Sequence, residues 1–179
     1  MDTIMEIIKK RKSIRIYQKK PLPKKVVDSI LEAAKYAPTA RNAQELEYKV
    51  ITSRALMAKV SAGILAAVQK EGLPLKGPPG AKSDFFHGAS LLIIITAPKG
   101  NMWAMTDAAL AAQNILLYCT SVNLGSCFIG MAKLIERDKN SLKELHIADG
   151  MNIVAAVICG YPDESPEPRE KRQKAEFFD

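Results

Sequence analysis

The 179-residue chain is 47% hydrophobic and 25% charged with a net charge of +7, the balance of a single globular domain with a sizeable core. No run reaches the ~18 consecutive apolar residues of a membrane span, and "MDTIMEIIKK" is too acidic, and its apolar part too short, for a signal peptide, so a cytoplasmic protein is expected. Cys119, Cys127 and Cys159 form no C-x-x-C pair, and His87 and His146 add no zinc spacing, so buried free thiols are expected.

Thr3-Ile4-Met5-Glu6 has capping-box spacing and predicts a helix that ends near Arg11. "SIRIY" then reads as extended or irregular. Val26, Val27, Ile30, Leu31 and Ala34 form one helical stripe, with Pro23 in its first turn and Pro38 as its stop. "YKVIT" (48–52) predicts a strand, and "ALMAKVSAGILAAVQKEG" a helix ended by Gly72. "GLPLKGPPGAKS" is a loop. "SLLIIITAP" (90–98) has the continuous apolar run of a strand buried on both faces. "TDAALAAQNILLYCTSVNLG" predicts a long helix, capped by Thr106 and ending before Gly125, apolar nearly all round and so buried or in an interface. "SCFIGM" is a short strand or turn, "NSLKELHI" a short helix and "NIVAAVICGYP" (152–162) another buried strand. The tail "DESPEPREKRQKAEFFD" ends in adjacent aromatics, Phe177 and Phe178, which are expected to reach over a partner subunit or to fray.

The charge is local. Residues 1–25 carry nine Lys/Arg against two acids, and the other 154 residues hold 17 of each sign. Such a patch points to an anion, either nucleic acid or a phosphorylated small molecule, with a solvated lysine-rich face that has no partner as the alternative.

Five segments carry a resemblance. "RKSIR" resembles a basic-x-Ser-x-basic opening motif, and "APTARNAQ" (37–44) an A-P-[ST]-x-x-N-x-Q segment. "GASLLIIITA", "DAALAAQNILLYCTSVNLGSCFIG" and "CGYPDESPEPREKR" resemble a strand, a central helix with its glycine-containing run, and a final strand with a basic tail. In this order they resemble the FMN-dependent nitroreductase family over nearly the whole chain. The resemblance implies one α+β domain over residues 1–179, with a central, mainly antiparallel sheet flanked by helices. It implies an intertwined homodimer whose C-terminal tail reaches the partner, with FMN at the interface. The implied activity uses NADH or NADPH to reduce nitroaromatics, quinones or flavins. Relatives that dehalogenate, dehydrogenate or fragment flavin share the fold.

By the resemblance, Arg11, Arg15 and Ser13 hold the FMN phosphate, a role suited to forked guanidinium donors. Lys12 reaches the phosphate or the ribityl and flavin edge. Arg172, or else Arg169, adds a cation from the tail. Pro38, Thr39 and Asn42 meet the flavin from the opposite subunit, and Gln44 supports their loop. Backbone at Ile129 and Gly130 approaches the flavin ring, and Lys82 approaches its pyrimidine end. Glu45-Leu46 departs from the family's usual Pro-Trp. Cys127 lies near the flavin without an assigned role, and the 107–125 helix is a candidate for the dimer seam. No protein acid, base or nucleophile is required, because the cofactor carries the hydride. A small-molecule acceptor is the expected partner. A flavin carrier or sensor is the alternative. A nucleic-acid module is the remote one, given 6% aromatic content and no stacking platform.

Overall fold

A computed structural model describes residues 3–72, 84–167, 170 and 172–178. Helix α1 spans Ile4–Lys10, and its capping box forms as expected, with Thr3 Oγ1 accepting from Glu6 N and Glu6 Oε2 accepting from Thr3 N. Helix α2 (Lys24–Lys35) buries Val27, Ile30 and Ala34. Strand β1 is Glu47–Ile51, helix α3 Arg54–Lys70, strand β2 Leu91–Pro98, helix α4 Ala104–Ser121, strand β3 Gly125–Phe128, helix α5 Lys139–Glu144 and strand β4 Met151–Gly160. The order in the sheet is β1-β2-β4-β3, and every pair is antiparallel.

Strand β2 explains its own sequence. Leu91, Ile93 and Ile95 face one apolar cluster with α2 and α4, while Leu92 and Ile94 face the other with α3 and the turn that follows β3. A continuous apolar run here reflects helices on both faces, and the pairing is antiparallel. Each fully buried Leu or Ile contributes roughly 1.5–3 kcal/mol, so β2 and its neighbour β4 form the stable centre of the molecule.

Helix ends set the site's geometry. Gly72, with φ +61°, ends α3 as expected. The start of α4 differs: Trp103 occupies the N-cap position, not Thr106, because the preceding turn fixes it. There Asn101 Oδ1 accepts from Trp103 N at 2.8 Å and Asn101 O from Ala104 N. At the other end Asn123 (φ 57°) takes the left-handed position, with Leu124 N donating to Cys119 O at 2.7 Å. Gly125 is therefore free for another task. A 3-10 segment, Gly130–Arg137, had no counterpart in the sequence reading. Its Glu136 and Lys133 side chains bond Ile153 N and O where β3 has ended, replacing a neighbouring strand on that edge of β4.

Asp138 caps α5, accepting from Ser141 Oγ and from the backbone of Asn140 and Ser141. Asp138→Ala should cost about 1 kcal/mol of stability. The Ser141 hydroxyl bond, then the backbone donors, hold the Asp138 carboxyl below its ordinary pKa of 3.8, against opposing desolvation. Its stabilisation is full above that value and fades as pH falls through the lower folded one. The difference in melting temperature between wild type and variant should therefore shrink in acid, checked by thermal melts at pH 7 and pH 3.

Candidate functional site

Glycines seat the basic segment. An added Cβ on Gly125 would meet Ile14 Cγ2 at 2.9 Å, and one on Gly160 would meet Tyr17 Cδ1 at 2.9 Å. Bare glycine backbone thus lets residues 13–17 lie directly on the sheet end. Ile14 N donates to Ser126 O at 3.0 Å, and the buried Tyr17 hydroxyl donates to Ile14 O at 2.7 Å. Burial pushes the Tyr17 phenol far above its ordinary range, so it stays a neutral donor. With Ile14 and Tyr17 turned inward, Arg11 and Ser13 are left half-buried and Arg15 exposed.

The first residues past β4 bind this segment. Gln18 N donates to Tyr161 O at 3.0 Å and Asp163 N to Ile16 O at 2.9 Å. Glu164 Oε1 accepts from the backbone N–H of Arg15 and, at 3.1 Å, of Ile16. Lys12 Nζ donates to Pro166 O. Among the described residues, the guanidinium groups of Arg11 and Arg15 and the Ser13 hydroxyl have no hydrogen-bond or ion-pair partner. His87 is half-buried, and its imidazole is held below its ordinary 6.5 by burial and the Arg15 charge. Both effects favour its neutral form, against the opposing Asp84 and Glu164 charges. Two unpaired forked donors and an unpaired hydroxyl on one short segment are groups suited to holding an anion such as a phosphate.

The 38–44 segment forms a tight loop elsewhere. Thr39 Oγ1 accepts from Gln44 N at 3.1 Å, and Gln44 Nε2 donates to Asn42 Oδ1 at 2.8 Å. Pro38, Asn42 and Gln44 are exposed and Thr39 half-buried. Arg41, Asn42 and Gln44 all have φ between 53° and 56°, a strained conformation for residues other than glycine that gathers at functional sites. The buried Asp107 on α4 anchors the loop, its Oδ1 accepting from Ala40 N at 3.0 Å. Sequence reasoning missed Asp107, whose signal is a lone acid in an otherwise apolar, small-residue helix. In the Glu45-Leu46 departure, Leu46 packs on the α2–α4 cluster, and Glu45 accepts from Asn101 Nδ2 at 2.9 Å.

Ile129 is buried, with N donating to Ala156 O at 2.9 Å, while Gly130 is exposed and has open space where a Cβ would sit. Cys127 turns into the core cluster beside Ile129. Cys119, Cys127 and Cys159 are all buried and free. Arg172 pairs with Glu170 in the exposed tail, 3.0 Å apart. Lys82 and Arg169 lie outside the described residues. No group of acids, histidines and cysteines suited to a metal occurs among the described residues, and no described helix is long and apolar enough to cross a membrane.

The structure therefore gathers Arg11, Lys12, Ser13 and Arg15 with the β3 edge, which continues to Ile129 and Gly130. It places Thr39, Asn42 and Gln44 apart from them. The loop is tied to the first turn of α4, the basic segment to Ser126 beyond its last turn. At 1.5 Å per residue the helix alone spans roughly 27 Å.

A model described as "Nitroreductase family" matches residues 8–161. A Methanothermobacter thermautotrophicus protein named "Putative NADH dehydrogenase/NAD(P)H nitroreductase" is 28% identical over 172 residues, covering 93% of this chain and 81% of that protein. The crystal structure of a nitroreductase with bound FMN from Desulfitobacterium hafniense shares the fold at a TM-score of 0.87, with 21% identity and 100% of both chains covered. A nitroreductase with bound FMN from Bacteroides fragilis does so at 0.81, with 23% identity over 100% of this chain and 98% of the other.

Proposed function

The chain belongs to the nitroreductase family, and from that premise we propose that it is an FMN-dependent oxidoreductase. It draws electrons from NADH or NADPH and reduces nitroaromatics, quinones or flavins. The observation that carries this reading is the anion-binding arrangement of Arg11, Ser13 and Arg15, whose polar groups have no partner among the described residues. Bound there, FMN supplies two-electron transfer between the nicotinamide and the acceptor.

The protein's part is binding and orientation. Arg11 and Arg15 neutralise the phosphate, and Ser13 donates to it. Lys12, oriented by Pro166 O, serves the phosphate or the ribityl edge. Thr39 and Asn42 offer neutral donors and acceptors to the ribityl chain or ring beside Pro38, and the Gln44 amide holds Asn42 in place. Ile129 and Gly130 bring backbone to the ring, the open side of Gly130 leaving room for close approach. Lys82 serves the pyrimidine end, and Arg172 exchanges Glu170 for the phosphate.

The loop and the basic segment are tied to opposite ends of an 18-residue helix, which favours a flavin held by residues of two protomers. A two-fold axis that lays α4 antiparallel to its copy would place the loop of one protomer beside the basic segment of the other. Exposed apolar side chains support this. Ile4, Met5 and Ile8 on α1, Met105 and Leu110 on α4, and Phe177 and Phe178 in the tail all face solvent in the single chain. We therefore propose a homodimer with composite sites, in which the terminal phenylalanines cover the partner.

Purified protein should show the visible bands of bound flavin, and these should bleach on anaerobic titration with NADH or NADPH. Sedimentation should give twice the chain mass. Colourless protein that takes up no added FMN would refute the reading.

A further inference from the structure

Beside the anchored loop lies a cavity of about 460 Å³ whose lining includes Arg41, Glu45, Lys99, Met102, Trp103 and Asp107, within the usual size of a small-molecule site. Its charged groups differ in how they are committed. Asp107 is bonded to Ala40 N, Glu45 to Asn101 Nδ2, and Lys99 Nζ to Asp149 O. Arg41 alone of these has no partner among the described residues. No ion pair forms among the cavity's charged groups in the described residues, so the Arg41 guanidinium is left available as a donor. Two large side chains of the wall stay open, with Met102 79% and Trp103 47% exposed. A half-open indole is a stacking surface for a planar ring, and a free guanidinium is a forked donor to a carboxylate.

We infer that this cavity, formed where the strained 39–44 loop meets the start of α4, binds a planar aromatic compound bearing a carboxylate, with Arg41 anchoring the acid and Trp103 stacking on the ring. This rests on the oxidoreductase reading: where the ring also bears a nitro or quinone group, that group takes the electron pair and the compound is the acceptor that the enzyme reduces. Arg41 would then set specificity, a role that neither the phosphate-binding cluster nor the expected loop residues supply.

Trp103 is the chain's single tryptophan, so its fluorescence reports on this cavity alone. The purified protein is titrated with 4-nitrobenzoate and with nitrobenzene, and quenching is corrected for absorbance. Saturable quenching by both is expected, with the carboxylate binding about tenfold more tightly, a difference worth ~1.4 kcal/mol. Arg41→Gln should bring the two dissociation constants within twofold of each other. Arg41 is exposed, so the variant is expected to fold, and circular dichroism checks this. Non-saturable quenching, equal affinities in the wild type, or a preference that survives Arg41→Gln would each overturn the inference. Visible absorption scores flavin separately. Flavin-bearing protein without the preference sinks this inference alone, whereas flavin-free protein with the preference sinks only the cofactor reading.

Discussion

Replacing Arg11 and Arg15 together by alanine is expected to strip FMN from the protein during gel filtration, while each single variant retains it weakly. Hydrogen bonds to a charged group are worth about 1.5–3 kcal/mol each. Two such losses amount to roughly 3–6 kcal/mol if they add, or about two to four orders of magnitude in affinity. Because both guanidiniums lack hydrogen-bond and ion-pair partners among the described residues, the substitutions break no polar contact of the fold, and only the stem of the half-buried Arg11 is lost from packing. Thermal stability without flavin should stay within about 0.5 kcal/mol of wild type. That separation of binding from folding is the point of the experiment. Lys12→Ala should have a smaller effect, since its ammonium is already engaged by Pro166 O. Added salt should weaken FMN binding in the wild type more than in the double variant, because the exposed Arg15 charge is open to screening. Flavin retained at wild-type affinity by the double variant would remove the phosphate site from this segment altogether.

What could be read from the sequence was what short-range physics decides. The capping box at Thr3 and Glu6, the Val27–Ile30–Ala34 stripe, and the stop at Gly72 all depend on residues within about one helical turn of each other, and all form. The basic cluster was legible because charge is visible residue by residue. Partnerships across the chain were not. Asp107 and Ala40 lie 67 positions apart, and Glu164 and Ile16 lie 148 apart. Nothing local in either partner specifies the other. Gly125 shows the same limit from another side. Its place just past a helix suggested a terminator, yet Asn123 does that work and the glycine admits Ile14. A missing side chain signals a constraint without saying which neighbour imposes it. The separation of the 38–44 loop from the basic segment along α4 likewise depends on tertiary packing that no local pattern announces.

Gly125→Ala is expected to lower stability and FMN affinity together, although Gly125 lies outside the set of residues proposed to touch the cofactor. The new methyl would lie 2.9 Å from Ile14 Cγ2 and 3.0 Å from both Cβ and Cγ1. A β-branched side chain has few rotamers into which it can retreat, and Ile14 is also tied by its backbone to Ser126 O at 3.0 Å. The segment must therefore lift from the sheet end, carrying Ser13 and Arg15 out of position. Overpacking of this kind costs about 1–3 kcal/mol, a fall of roughly 2–12 °C in melting temperature for a chain of this size. Gly160→Ala should behave similarly through Tyr17, whose ring lies 2.9 Å from the added carbon and whose hydroxyl holds Ile14 O. Ile14→Ala removes two of the three clashing atoms. In a double-mutant cycle, Gly125→Ala with Ile14→Ala should therefore lose less stability than the two single losses summed. If the losses simply add, or if Gly125→Ala binds FMN as tightly as wild type, the glycine does not seat the cation-bearing segment, and another feature of the fold must position Arg11 and Arg15.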